Sequence, residues 1–298
     1  FGPAGEEQTP ATAMFPDEFN AMRGAQIESL EEITDNGIYA IYGLLGCSPE
    51  VDGNPEDGGF YTSKDRWVGS LQAPCAFSIR STGDEDGTYY IQSLADGKYW
   101  ESIRSVAPDY WNAGSSTSFK SKAAKVKIEP NNNEYLPNSF VIYEYVEDSY
   151  RDIDEVSTQC PYVIVQDWGS GLGLYPVPSL DQNDNDGEGE WFIYKMSMDT
   201  PFSYWLGNMT NTLMDLGLVQ GVDPGTYKDL KGFPEACVKA QATAEAKDEA
   251  ASKAMLATIE AAFAEIENAE TNPVVAGYYV FEANTPEYFQ KQGVTKSI

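Results

Sequence analysis

The segment Gly37-Ile38-Tyr39-Ala40-Ile41 carries the pattern that decides the fold, because this pattern recurs along the chain. It returns, altered, in Gly87-Thr88-Tyr89-Tyr90-Ile91 and in Cys160-Pro161-Tyr162-Val163-Ile164. Each copy is short, aromatic and β-branched, which is typical of a β-strand. Two further motifs follow each copy, a Gly-x-Tyr-like segment and an aromatic-x-Ile segment. The first set is Gly59-Phe60-Tyr61, Gly97-Lys98-Tyr99 and Gly173-Leu174-Tyr175, and the second is Phe77-Ser78-Ile79, Phe140-Val141-Ile142 and Trp191-Phe192-Ile193.

Three copies of one motif set, over about residues 37 to 196, predict a threefold β architecture, since a single copy cannot bury its own apolar face. The set resembles that of the β-trefoil, whose units read G-x-Y-x-I, G-x-Y-L and F-x-I. The resemblance covers roughly half the chain and implies an architecture rather than an activity. Tandem trefoil-like units joined by Ala-rich helices are similar to secreted and surface proteins of gut Bacteroidales bacteria, which implies exposure and attachment.

The expected fold is mainly β with helical additions. We predict a flexible N-terminus and a short helix in residues 1–36, and a β-trefoil-like domain in 37–198. A helical linker in 199–272 follows, and 273–298 form the first strands of a second, truncated β domain, where Gly277-Tyr278-Tyr279-Val280-Phe281 repeats the opening pattern.

Two segments outside the motif copies have helical apolar spacing. One runs from Asp17 to Ile33 and supplies the helix of the N-terminal region. The other is rich in Ala, Glu and Lys and runs from Pro234 to Asn268. If it is continuous, it forms one helix of about 35 residues, on the order of 50 Å long.

The charge of the chain is strongly negative, with 19 Lys and Arg against 47 Asp and Glu and a net charge of −28. Such a surface repels nucleic acid and anionic lipid. No apolar run reaches the length of about 20 residues that a membrane-spanning helix needs. We therefore expect no nucleic-acid partner and no direct membrane insertion. Secretion or a place on the cell surface agrees with this charge.

The absence of histidine from the sequence excludes histidine-dependent catalysis, including the usual serine triad, and histidine metal sites. Paired carboxylates, as glycosidases use, remain available, but sequence proximity picks out no pair. The chain is therefore predicted to be non-catalytic and to carry no cofactor. The cysteines form no CxxC pair: they are Cys47, Cys75, Cys160 and Cys237. Cys47 and Cys75 lie in one repeat and could form a disulfide. The alternative is that the cysteines are small buried side chains with free thiols.

The acidic segment from Asp181 to Glu190 is the one candidate for a metal site, because clustered oxygen ligands suit hard cations. Its candidate ligands are Asp181, Asp184 and Asp186. The EF-hand register fails, since placing Gly187 at the sixth position puts Ile193 at the twelfth. An acidic hairpin loop is the alternative interpretation of this segment.

Tryptophan and tyrosine side chains beside aspartates are the candidates for ligand binding, because sugars stack on aromatic rings and donate hydroxyls to carboxylates. These residues are Asp96, Trp100, Asp109, Tyr110, Trp111, Asp167 and Trp168. Each tryptophan also fits a place in the hydrophobic core. The expected function is that of an extracellular or cell-surface module that binds a glycan or a protein. The alternatives are a structural subunit of a surface assembly and an accessory region of a larger secreted glycosidase.

Overall fold

The computed structural model describes residues 21–43, 59–60, 76–84, 86–101, 116–131, 137–145, 162–167, 172–177 and 190–273, with 59–60, 162–167 and 172–177 described by their backbone. The strands are β1 Arg23–Gln26, β2 Ile38–Gly43, β3 Gly59–Phe60, β4 Phe77–Ser81, β5 Tyr89–Ser93, β6 Tyr99–Trp100, β7 Ser116–Thr117, β8 Val126–Pro130, β9 Phe140–Glu144, β10 Tyr162–Asp167, β11 Leu172–Val177 and β12 Trp191–Met196. The helices are α1 Pro201–Met214, α2 Phe233–Glu245 and α3 Glu249–Glu267. The expectation of a mainly β protein with helical additions is confirmed at this level.

Six of the strands close into a ring. β2 pairs with β4, β4 with β5, β5 with β8 and β8 with β9, always antiparallel. The ring closes because β12 pairs with β9 on one side and with β2 on the other. The other strands extend it: β1 joins β12, β3 joins β2, β6 joins β5 and β7, β10 joins β9, and β11 joins β10. A closed ring gives every member a hydrogen-bonded neighbour on both sides.

Isoleucines from all six ring strands form the centre of the core. They meet as three directly opposed cross-strand pairs. The pairs are Ile41 with Ile193, Ile79 with Ile91, and Ile128 with Ile142. All six side chains are buried in a single hydrophobic cluster, to which Tyr39, Phe77, Phe140 and Trp191 also belong. Five of these six isoleucines lie in the sequence motifs, and Ile128 is the one pair member that no motif marked.

The N-terminal helix expected from Asp17 to Ile33 is present at residues 21 and 22, and the expectation is wrong from Arg23 onward. Residues Arg23–Gln26 form a strand, and Leu30–Glu32 form a single 3-10 turn. Pairing of β1 with β12 replaces the helix, and Gly24 at this position has low helical propensity. The apolar spacing still marked the side chains that face the core, because Ile27 is buried in it and Ile33 packs against it.

The Ala-rich segment is two helices rather than one. Lys247 lies between them in a left-handed conformation with φ of 54°. Asp248 then begins α3 as its N-cap, because its Oδ1 accepts a hydrogen bond of 3.0 Å from the backbone N–H of Ala251. This capping aspartate explains where the predicted long helix stops and restarts.

The helices pack on one another and on the strands. Glu249, at the start of α3, accepts hydrogen bonds of 2.9 Å from the backbone N–H groups of Phe202 and Ser203. This places a carboxylate at the positive N-terminus of α1. The ring of Phe263 lies 5.5 Å from that of Phe233 in α2 and 5.4 Å from that of Phe119, beside the strands. The three helices and the strands thus form one compact unit, Phe1–Gly217 with Lys231–Glu267.

A second, smaller unit consists of Leu218–Leu230 and Asn268–Ile298. Asn272 joins its two segments, because the side-chain amide donates to the backbone oxygen of Gly221 at 2.7 Å and to Oγ1 of Thr226 at 3.0 Å. Lys228 and Glu270 form an exposed ion pair of 2.6 Å. The opening pattern at Gly277–Phe281, which predicted a further strand, lies outside the described residues.

Candidate functional site

Asp96 and Trp100 are the predicted binding residues whose side chains the structure describes. Asp96 stabilises the tight turn between β5 and β6, where its Oδ1 accepts a hydrogen bond of 2.9 Å from the backbone N–H of Lys98. Trp100 is only 6% exposed and lies edge-on to Phe77 in the hydrophobic core, with 6.5 Å between ring centroids. The Trp100 ring is therefore a core side chain, and it does not present a stacking face to a ligand.

The remaining predicted site residues are not brought together by any described contact. The backbone of Asp167 pairs with that of Leu172 at the end of β10. The others lie outside the described residues: Asp109, Tyr110, Trp111, Trp168, and the possible cation ligands Asp181, Asp184 and Asp186. Among the residues that the structure does describe, no group of three Cys, Asp or Glu side chains is placed to hold a metal ion.

A cluster of polar side chains lies where the helices meet the outer face of β4 and β5. We call it the Arg80 cluster, and it consists of Arg80, Gln92, Tyr99, Trp205 and Glu260. The Arg80 guanidinium donates to both carboxylate oxygens of Glu260, at 2.7 and 3.2 Å, and to Oε1 of Gln92 at 2.5 Å. It also lies 5.1 Å from the centroid of the Trp205 ring. A strand side chain thereby binds two different helices at once.

The electrostatics of the Arg80 cluster raise the pKa of both Tyr99 and Arg80. Burial raises the pKa of Tyr99, and the negative charge of Glu260 raises it further. Burial by itself would lower the pKa of Arg80, but its hydrogen bonds and attraction to Glu260 raise that pKa overall. The Tyr99 hydroxyl donates to Oε1 of Glu260 at 3.1 Å. A guanidinium and a phenol that stay protonated are suited to joining elements rather than to moving protons.

Substitution of Tyr99 by Phe is expected to change how stability depends on pH. The raised pKa means that the folded state keeps the phenol proton, whereas an unfolded tyrosine loses it near its ordinary pKa of about 10. The stabilisation is therefore complete below that pH and is lost as the pH rises above it. Urea unfolding from about pH 8 to about pH 11 should show a steeper loss of stability in wild type than in Tyr99→Phe.

The control for this measurement is Tyr204→Phe, because Tyr204 is 45% exposed. This variant should follow the pH dependence of wild type. Near neutral pH, Tyr99→Phe should lose about 1 kcal/mol through the missing hydrogen bond to Glu260. Identical alkaline slopes for wild type and Tyr99→Phe would contradict the assignment.

A second surface feature is formed by Lys120, Lys122, Lys125 and Lys127, which we call the lysine strip. Three of these ammonium groups lie over aromatic rings. The Nζ atom of Lys120 is 5.1 Å from the ring centroid of Tyr90. That of Lys122 is 5.3 Å from the centroid of Phe119, and that of Lys127 is 4.8 Å from the centroid of Tyr145. Lys125 instead pairs with Asp84 at 2.6 Å. Val126 and Ile128 are buried and flank Lys127, so β8 directs Lys127 outward, and Lys125 just before the strand is exposed.

Lys125 is the member of the lysine strip that forms an ion pair. Its pKa is raised, first by the hydrogen bond to Asp84 and also by the proximity of Tyr90 and Asp86. Tyr90 therefore lies near Lys125 as well as under Lys120. The strip therefore combines ammonium groups with half-buried aromatic rings.

Comparison with protein-family models, with curated proteins and with solved structures finds no match to this chain. None of the helices in the described part is long and apolar enough to cross a membrane.

Proposed function

We propose that the chain is a non-catalytic binding module, secreted or held on the cell surface, whose ligand is a glycan or a protein. The Arg80 cluster carries this proposal. It is a place in the described part where ionisable side chains from distant segments converge, and its hydrogen-bonding groups are directed at one another. Such a cluster supports a scaffold, whereas a catalytic centre keeps groups free for its substrate.

We further propose that the strands form a β-trefoil-like domain of three units. The three isoleucine pairs support this, because they repeat one contact around the ring. In this proposal the units are β2–β4, β5–β8 and β9–β12. In this arrangement Phe140-Val141-Ile142 opens the third unit, and Val126-Lys127-Ile128 closes the second. The second unit therefore ends earlier than its aromatic-x-Ile motif suggests, since β8 rather than β9 pairs with β5.

The binding proposal is tested with the purified chain on a glycan array, beside a pull-down from a surface-protein fraction. We expect saturable binding to at least one class of glycan or one co-purifying protein. Release of reducing sugar from any polysaccharide by the pure chain would contradict the non-catalytic assignment. Absence of both glycan and protein binding would contradict the binding assignment itself.

A structural subunit of a surface assembly is the second candidate, and the exposed side of α3 favours it. This side carries Ala250, Ala254, Ala257 and Ala261 at helical spacing, all exposed to solvent. Alanines allow close approach of another helix. Sedimentation over a range of protein concentrations separates the candidates, because an assembly subunit associates with itself or with a fixed partner and needs no glycan.

A further inference from the structure

The lysine strip differs in charge from the rest of the chain. Residues 120–127 contain four lysines and no Asp or Glu, although acidic residues outnumber basic ones by 47 to 19 overall. Within the described residues, Lys125 is the one strip lysine that lies within ion-pair distance of a carboxylate. Lys120, Lys122 and Lys127 lie on aromatic rings instead. Three exposed or half-buried ammonium groups thus keep their charge available in an acidic protein.

Three carboxylates near the strip have hydrogen-bond partners. Asp84 accepts from Lys125 at 2.6 Å, and Glu267 accepts from the Ser121 hydroxyl at 3.0 Å. Glu129 accepts from the Tyr143 hydroxyl at 2.6 Å. These three carboxylates are therefore held by groups other than Lys120, Lys122 and Lys127.

The pairing of lysines with aromatic rings defines the chemistry of a matching ligand. An ammonium group binds a carboxylate or a sulfate, and a neighbouring ring packs against the apolar face of a sugar. The negative charge elsewhere on the protein does not prevent this contact. At physiological ionic strength, electrostatic screening acts over about 8 Å, so a bound ligand responds mainly to the charges next to it.

We propose that the lysine strip binds an acidic polysaccharide, through carboxylate or sulfate groups on Lys120, Lys122 and Lys127 and sugar faces on the adjoining rings. This assignment rests on the proposed binding function and specifies its ligand class. Lys125 keeps the strip in place through Asp84 and is not itself a principal contact.

The test measures binding of the full chain to polygalacturonate, dextran sulfate and neutral dextran by isothermal titration calorimetry. Wild type should bind at least one anionic probe and not neutral dextran. The triple variant Lys120→Gln/Lys122→Gln/Lys127→Gln should bind that probe at least about tenfold more weakly, which is about 1.4 kcal/mol. The salt dependence should also become shallower, because up to three fewer counterions are released.

The matched control is Lys239→Gln/Lys247→Gln/Lys253→Gln, which removes the same charge from exposed positions on or between α2 and α3. It also removes one ammonium–ring contact, that of Lys253 over Phe202. The control should bind like wild type. An equal loss of affinity in both triple variants would show that net charge alone matters and would overturn the proposal.

Two further results would overturn the assignment of the ligand. Equal binding of neutral dextran would leave the binding function intact while removing the role of the lysines. Concentration-dependent self-association that the strip variant abolishes, without binding to either anionic probe, would assign the strip to a second copy of this chain. Failure of the proposed function is separately recognised, because the glycan array and the pull-down would then both be negative.

Discussion

Gly97→Ala is expected to lower the free energy of unfolding by about 3 kcal/mol, because two costs coincide at this position. Gly97 has φ of 69°, a left-handed conformation that disfavours a side chain. A Cβ there would also lie 2.4 Å from Cβ and 2.7 Å from Cα of Met209 in α1. Since a Cα cannot move without its helix, relief of this clash requires α1 to shift away from the β5–β6 turn. Urea unfolding followed by tryptophan fluorescence and circular dichroism measures the loss.

Gly87→Ala is the matched control for Gly97→Ala. Gly87 has a similar φ of 66°, but a Cβ there meets nothing within 4 Å. The control should lose only the conformational part, about 1 kcal/mol. The difference between the two variants isolates the contact between α1 and the strands. Equal losses would show that α1 does not approach Gly97 as closely as the structure has it.

Arg80→Met is expected to lower the free energy of unfolding by about 2–3 kcal/mol, because it leaves the Glu260 carboxylate without its cationic partner. The side chains of Arg80 and Glu260 are 24% and 16% exposed, so the loss should be smaller than for a completely buried pair. Arg80→Met/Glu260→Met should lose less than the two single variants together, since the double variant leaves no unpaired charge. Chemical denaturation of all three variants measures this coupling.

The exposed pair of Lys228 and Glu270 provides the contrast to Arg80. These side chains are 52% and 78% exposed, and exposed ion pairs contribute little. Lys228→Met should leave the unfolding midpoint of the protein unchanged. A result in which Arg80→Met is as mild as Lys228→Met would remove the structural role of the Arg80 cluster, and with it the main support for the scaffold interpretation.

The core was predictable from sequence where apolar residues recur at fixed spacing. Ile41, Ile79 and Ile193 all lie in the motif segments and are buried in the ring. β8 was missed because Val126-Lys127-Ile128 lacks the aromatic residue of the motif. The N-terminal helix was predicted wrongly from Arg23 onward, because pairing with β12 outweighs a helical spacing, which is a weak local preference.

The interaction sites were less predictable than the core, for two different reasons. Arg80 and Glu260 are 180 residues apart, so no local pattern can pair them. The lysine strip, by contrast, was visible in the sequence. Its signal was overlooked because the net charge of −28 was interpreted as a property of the whole surface. Charge counted in short windows would have marked residues 120–127.

Closure of the strand ring has a consequence for how the protein is made. Ile41 and Ile193 are opposed across the ring although most of the strand sequence lies between them. During synthesis β2 therefore leaves the ribosome long before β12 exists to complete its pairing. Contacts between distant segments slow folding, because the chain loses much entropy before it gains them. The nascent chain must keep β2 from pairing with other molecules until β12 has been translated, which makes this interval the one in which aggregation is most to be expected.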